Sequence, residues 1–468
     1  MTDRGRPALI FGASLALGVV LIARLLERSH GTSSIEIYVV VLVWLVLLHV
    51  VVPIAFRRVD WFEFVNVFVF FYVASYVVRP LVLVVGPDQA AFSAFWDWHQ
   101  LGSGVFYVAL GLGAFAVGYH GPIGVRLAAL APRLGSVVKP RLSAVVFFGM
   151  LSLGLSAYLL HAWLLGGIDV FLDNLVYERS QMYFGYGWLV PFQSFALVAI
   201  PFGYAYLFSE GRLRLTFLLC ALALVPLLLV PMSRGVFLTW LVVLVAYRHY
   251  AVRRARLLSL LAAILIAFGV LVGLQLARER TFGVVQDVTT GEMLLYVYST
   301  TFNGFDSAMM VLNYYEHADL LWGATFLEAL LYPWIPRALW TTKPVVYGGT
   351  AITEPIGGFL AGGTHVTAEV LGELYANFGD GGVLAGLFMV GVAGRALYVA
   401  CAARSRRSKA SLLLYAYVLA LVPGWLRVGL GGSAYYFLTF LGPFLALLWL
   451  LHRRPRLARA GAVVGAHA

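Results

Sequence analysis

Runs of about twenty consecutive apolar residues recur along this 468-residue chain, and they decide what it can fold into. One spanning helix needs about 20 apolar residues to cross a bilayer core roughly 30 Å thick. Inside lipid every backbone amide and carbonyl needs a partner within the protein, so only helices and closed barrels span. Barrel strands alternate apolar and polar over about 10 residues, whereas stretches such as VVVLVWLVLLHVVV (residues 39–52) are continuous. The chain is 61% hydrophobic and only 12% charged, against about 25% charged in soluble domains. A soluble enzyme, a disordered chain and a disulfide scaffold are excluded, and an all-α polytopic membrane protein is expected.

About twelve runs qualify, near 7–26, 35–56, 61–85, 101–120, 142–165, 188–208, 213–231, 235–251, 256–276, 381–403, 410–428 and 433–451. The organisation expected is transmembrane helices over 1–277, a large extracytoplasmic loop over 278–380, and further helices with a basic tail over 381–468. The opening MTDRGRP leads into an apolar run without a clear cleavage site, so it reads as an uncleaved first span. With the N-terminus in the cytoplasm, two thirds of the 33 lysines and arginines fall in cytoplasmic segments. Among them are Arg57–Arg58, Arg126, Arg253–Arg254, Arg406–Arg407 and Arg453–Arg454. The positive-inside rule then places both termini in the cytoplasm. The net charge of +11 is thus a topology signal, and nucleic acid is not expected as a partner.

The loop from 278 to 380 is too rich in apolar and aromatic residues to be disordered. Its segments EMLLYVYSTTFNGFDSAMMVLNYYE and FLEALLYPWIPRALW read as helices lying at the membrane interface. The pairs Gly348–Gly349, Gly357–Gly358 and Gly362–Gly363 read as a mobile, substrate-gating part. The extracytoplasmic side is acidic overall, so its cations stand out: Arg179, Arg234, Arg278, Arg280, Arg337 and Lys343, with Arg79 and Arg427 at span ends. A guanidinium binds phosphate oxygens through two parallel donors, which suits a lipid diphosphate held at headgroup depth. The bland alternative is snorkelling to headgroups. His365, Glu369 and Glu373 recur every four residues, which puts them on one face of a helix. Any of the three can serve as a general base, and the bland alternative is a solvated helix face. No metal signature, P-loop, GxSxG or dinucleotide fingerprint occurs in its required context. Neither a metal nor a cofactor is expected, and Cys220 and Cys401 read as core residues.

IPRALWTTKP, a glycine-rich gap and then VLGELYANFGDGGVLAGLFMVGVAGR resemble the bacterial oligosaccharide repeat-unit polymerases, the Wzy-type O-antigen polymerase family. The residues carrying the likeness are Arg337, Lys343–Pro344, Gly372, Glu373, Tyr375, Asn377, Phe378 and Gly379, with the Ser233–Arg234–Gly235 turn. The strong part covers about 330–395. The resemblance implies a metal-independent GT-C-like glycosyltransferase acting on oligosaccharides linked to undecaprenyl diphosphate. Its site residues would be Glu373, His365 or Glu369 as base. Arg234, Arg278, Arg280, Arg337, Lys343, Arg179, Arg427, Tyr375 and Asn377 would bind substrate. Membrane lipids and a polysaccharide chain-length regulator are the partners it implies. An O-antigen ligase, or another polyprenyl-phosphosugar-dependent transferase, is the nearest alternative. A polysaccharide flippase or transporter is the next, although no symmetric pair of broken helices is visible in the sequence.

The topology reading predicts a labelling pattern. With Cys220 and Cys401 replaced by serine, Ser33→Cys reacts with a membrane-impermeant maleimide in intact cells. Ser405→Cys reacts only after permeabilisation.

Overall fold

A computed structural model of the chain describes residues 6–30, 35–55, 60–80, 100–131, 140–171, 186–208, 234–256, 302–332, 339–344, 351–357, 367–403 and 408–437, with shorter pieces around 260–273, 298, 335, 349, 359–365 and 441–445. The described residues are helical almost throughout. They form α1 (Arg6–His30), α2 (Ile35–Ala55), α3 (Phe64–Tyr72, running on through a π turn at Val73–Val77), α4 (Leu101–His120), α5 (Ile123–Leu130), α6 (Pro140–Leu164) and α7 (Val190–Gly203, with a π turn at Tyr204–Phe208). Then come α8 (Arg234–Ala251), α9 (Gly304–Tyr315), α10 (Ala324–Leu331), a two-residue antiparallel pair β1 (Phe359–Leu360) and β2 (Thr364–His365), α11 (Glu369–Leu397) and α12 (Lys409–Tyr436). Five helices in this set are long and apolar enough to cross a membrane, and three shorter ones are similarly apolar. This is the architecture of a helical membrane protein. The expected run at 213–231 lies outside the described residues, as does most of 256–276.

Which face of each helix is buried follows its side-chain spacing. In α1, Leu9, Ala13, Ala16, Val20 and Ala23 recur every three or four residues and are buried, while Phe11, Leu15, Ile22 and Leu25 point outward. Such an outward apolar surface fits a lipid solvent; in water it would be an aggregation-prone patch. Helix α4 is buried almost all round and packs against α1, α2 and α11. Its closeness to α11 depends on glycine. A methyl group at Gly118 would collide with the Phe388 carbonyl, and one at Gly391 with the Phe115 carbonyl and the Tyr119 amide, 2.8 Å away. The two backbones therefore touch, as small residues allow in membrane bundles.

Two elements differ from the sequence reading. Residues 123–130 were expected as part of a basic loop and instead form α5, which sets Gly124 against Val392 and Arg395 of α11. The charge at Arg126 obscures an amphipathic spacing, with Ile123, Leu127 and Leu130 outward and Gly124 and Ala128 inward. Helix α9 does not lie on the surface as an interfacial helix. Gly304 to Leu312 are all buried, because Gly104 and Gly372 leave room for Met309 and Val311. Ile352 and Thr353, in the glycine-rich part of the loop, are also buried, and Ile352 packs with Met310, Val311 and Tyr315.

At the α4–α11 crossing, Gly391→Ala is expected to destabilise the chain by roughly 1–3 kcal/mol, the usual cost of overpacking. Gly149→Ala, whose new methyl meets nothing within 4 Å, should be neutral or gain up to about 1 kcal/mol of helix propensity. Thermal unfolding in detergent compares the two.

Candidate functional site

Helices α11 and α12 are each broken by one glycine near the same end of the bundle. Gly379 has φ 62° and ψ −149°, and Gly429 has φ 84° and ψ 173°. Both fall in a backbone region that is essentially closed to residues with a side chain. Each break strands amides and carbonyls that a helix would have paired, and in an apolar interior those need partners. Leu321 and Trp322 donate their amides to the freed carbonyls of Ala376 and Asn377, at 2.9 and 3.0 Å. The Asn377 side chain accepts the Gly323 amide at 3.0 Å and donates to Thr325 Oγ1 and to the Glu373 carbonyl, both at 2.8 Å.

At the second break, the Glu373 carboxylate receives the Gly431 amide, with both oxygens near 3.0 Å. The Leu430 amide and the Thr325 hydroxyl also approach it. Glu373 has no exposed surface, and a methyl at Gly429 would come within 2.5 Å of its Oε2. A carboxylate against fresh amides at the start of a helical piece is favoured electrostatically. The cradle thus needs both the acid and the glycines.

Glu369 opens α11 with φ 58°, a strained value for a residue with a side chain. It too is buried, and its Oε2 accepts the Tyr76 hydroxyl at 3.3 Å. Tyr76 lies within 3.0 Å of the Leu426 carbonyl as well. The Arg427 side chain is exposed, and its charge acts on Glu369. The Arg427 carbonyl accepts the Thr367 hydroxyl at 2.6 Å. Close by in the fold, Arg79 clasps Asp306 of α9 through Nε at 2.9 Å and Nη2 at 2.6 Å, with both side chains fully buried. This end therefore gathers Glu369, Glu373, Asp306, Arg79, Tyr76 and Arg427.

The expected single face of His365, Glu369 and Glu373 is not formed. His365 lies on β2, paired with Phe359, and α11 begins only at Glu369. Neither carboxylate lies on a solvated face, since both are buried. Tyr375 is half-buried with its ring against Tyr107, 5.0 Å between centroids. Lys343 Nζ donates to the Ile335 carbonyl at 3.1 Å. Arg234 starts α8, but its side chain lies outside the described residues, as do Arg179, Arg278, Arg280 and Arg337. Among the described residues no cluster of His, Cys, Asp and Glu could hold a metal ion. Tyr76, Thr325 and Asp306 were not singled out from sequence. Asp306 did leave a signal, as a lone acid in the apolar run GFDSAMM.

The opposite end holds a second polar network. Asp60 accepts hydroxyls from Tyr250 at 3.0 Å and Tyr398 at 3.1 Å, and faces His249 Nε2 at 3.2 Å. Burial works to raise the Asp60 carboxyl pKa, but hydrogen bonds from His249, Tyr250 and Tyr398 outweigh it and hold it below the ordinary range. Glu63 accepts from Arg395 Nη1 at 2.9 Å and from the Tyr119 hydroxyl at 3.0 Å. The exposed cations Arg248, Arg253, Arg254 and Arg256 cluster in sequence beside His249 and Tyr250.

Between the two ends runs an apolar groove of about 750 Å³ along α11. Gly382, Gly386, Met389 and Leu397 line it together with Trp425 and Leu430 of α12, Phe437 just beyond α12, and Phe64 of α3. Its lining includes Leu374 and Leu430, the neighbours in sequence of Glu373 and Gly431.

Removing one member of a buried ion pair strands the other, at a typical cost of about 3–5 kcal/mol, whereas replacing both with apolar residues is often neutral. Arg79→Met is expected to destabilise the chain on that scale, and adding Asp306→Leu should restore most of the loss. Unfolding midpoints of both single variants and the double variant test the coupling. Compared with known proteins, the chain matches no family model, no curated protein and no solved structure.

Proposed function

We propose that this chain is a metal-independent glycosyltransferase of the GT-C type that polymerises undecaprenyl-diphosphate-linked oligosaccharide repeat units on the extracytoplasmic face of a bacterial inner membrane. The observation that carries the reading is the apolar groove beside α11, which leads up to the carboxylate cradle at the two helix breaks. A long isoprenoid chain needs an apolar path through the bundle, and its diphosphate and sugar need a polar end. The groove and the Glu373 end offer these two environments on either side of the break in α11. The motif Gly372–Glu373–Tyr375–Asn377–Phe378–Gly379 that resembles the Wzy-type polymerases is the segment that builds this cradle. The basic cluster at the Asp60 end supports a cytoplasmic placement of that end, and with it the proposal that the cradle faces outward and both termini lie in the cytoplasm.

In the reaction, a hydroxyl of the incoming unit's sugar attacks the anomeric carbon of the growing chain. The bond from that carbon to the diphosphate oxygen breaks, and undecaprenyl diphosphate leaves with the electron pair. A base takes the hydroxyl proton. Glu369, beside Tyr76 and Arg427, Glu373 and His365 are the candidates. Cations stabilise the charge that builds on the leaving diphosphate. Arg427 is the candidate exposed at this end, with Arg179, Arg234, Arg278, Arg280, Arg337 and Lys343 proposed from sequence. Holding two lipid-linked molecules in reactive geometry supplies the remaining advantage. An O-antigen ligase would use the same donor site, and its acceptor alone sets it apart. A chain-length regulator is a proposed partner.

The test is a reaction of the purified chain with a lipid-diphosphate-linked repeat unit in EDTA, resolved on a gel. A ladder of products that survives chelation is expected. A single added unit, or transfer only to a lipid A acceptor, would turn the reading to a ligase. Glu373→Gln keeps one acceptor oxygen for Gly431, and its unfolding midpoint is measured beside its activity so that a loss of the cradle is told apart from the loss of a base. Losing the ladder by a hundredfold or more would match removal of a base, and full activity would take Glu373 out of that role.

A further inference from the structure

Trp322 is 76% exposed and has φ 51°. A bulky residue in the left-handed region costs free energy, and the chain spends it on displaying an indole to its surroundings. The side chain is not held by a loose loop. Its own amide is tied to the Asn377 carbonyl at 3.0 Å, Leu321 before it to Ala376 at 2.9 Å, and Gly323 after it to the Asn377 side chain at 3.0 Å. Three successive backbone bonds fix it to the broken end of α11.

Two different cavities flank this turn. Leu321, just before Trp322, helps to line a pocket of about 470 Å³ with Tyr314, Tyr315, His317, Asp319 and Pro355. His317 and Asp319 are exposed and polar, and Tyr314 and Tyr315 set their rings edge to face at 5.1 Å. Just after Trp322 come Phe326 and, across the break, Phe378. Their rings stack at 6.2 Å, and both line the apolar groove. The tethered turn that carries the indole therefore has a polar, aromatic pocket on its Leu321 side and an apolar channel on its Phe326 side.

The geometry points to Trp322 as the stacking platform for a pyranose ring, with the pocket at Tyr314, His317 and Asp319 as the subsite for the sugar that follows it. A pyranose presents one face of C–H groups, which packs on an aromatic ring, and an edge of hydroxyls, which needs carboxylate and imidazole partners. A lipid-linked oligosaccharide has these parts in the order the structure offers them: apolar chain, first sugar, further sugars. A membrane-interface anchor would also be an exposed Trp, but it needs neither a strained, thrice-tethered backbone nor an adjoining polar pocket. The inference rests on the proposed transferase reading for the direction in which the substrate lies.

The experiment uses the full chain in lipid nanodiscs and, as probe, the oligosaccharide released by mild acid from the lipid-linked pool of the source cells. Saturation-transfer NMR reads contact between protein aromatics and pyranose C–H protons, and a titration gives Kd. The wild type should transfer saturation to one sugar face. Trp322→Ala should weaken binding about tenfold, Trp322→Phe should keep most of it, and Asp319→Asn should lose a smaller part. Binding by Trp322→Ala equal to wild type overturns the platform. So does a wild type that shows no transfer, or a variant that only lowers the unfolding temperature in nanodiscs, which would make Trp322 an interface anchor. The two readings fail separately. Sugar bound but no polymer ladder removes the polymerase and leaves the subsite. A normal ladder from Trp322→Ala with unchanged KM removes the subsite and leaves the polymerase.

Discussion

An apolar interior does not tolerate unpaired backbone amides and carbonyls, and this chain breaks two of its longest helices inside one. Everything at the Glu373 end answers that demand. The carbonyls released at Gly379 are taken by the turn at Leu321 and Trp322, and an amide released at Gly429 is taken by Glu373. Asn377 joins the two repairs, because its side chain reaches the turn, Thr325 and the Glu373 carbonyl. The polar character of this end thus has a structural cause before it has a chemical use. Irregular backbone at membrane depth is tolerated where protein or a cavity surrounds it, and here both do.

The same economy explains how α3 is held. It carries Glu63 just before its start and Arg79 at its far end, bound to Arg395 of α11 and Asp306 of α9 respectively. Buried pairs of this kind add little net stability but penalise any arrangement that separates them. The Glu63–Arg395 pair fixes which end of α3 meets which end of α11, and the Arg79–Asp306 pair fixes which end meets α9. Helix α9 is thereby tied to α3 within the bundle rather than lying exposed on its surface.

Most helices were legible from the sequence, because a continuous apolar run in lipid has no other way to satisfy its backbone. Their limits at α1, α2, α4 and α6 fall close to the ends of the runs. The residues at the cradle were legible as a group, since Glu373, Asn377 and Gly379 lie in one motif. Their roles were not. Nothing in a row of 48 glycines tells that Gly379 and Gly429 will be the ones to break α11 and α12, and Glu373 becomes a clamp only when Gly429 breaks α12. The four-residue spacing of His365, Glu369 and Glu373 is real, but the helix that would unite them starts at Glu369. Arg79 and Asp306 are 227 positions apart, so only packing could pair them. Burial of α9 was hidden because its apolar and aromatic content suits an interface and a core equally well.

The backbone contact between α4 and α11 has a bearing on ancestry. Leucine, valine and isoleucine on the outward faces of α1, α2 and α6 are exposed on the bundle, so one can replace another with little effect on its packing. Gly118 and Gly391 have no such latitude, and neither do the scattered acids and amides at the helix breaks. Drift should therefore erase most of the letters in a lineage of such chains while sparing a few that are far apart and individually common. Descendants would keep the same shape long after their spelling had ceased to resemble one another.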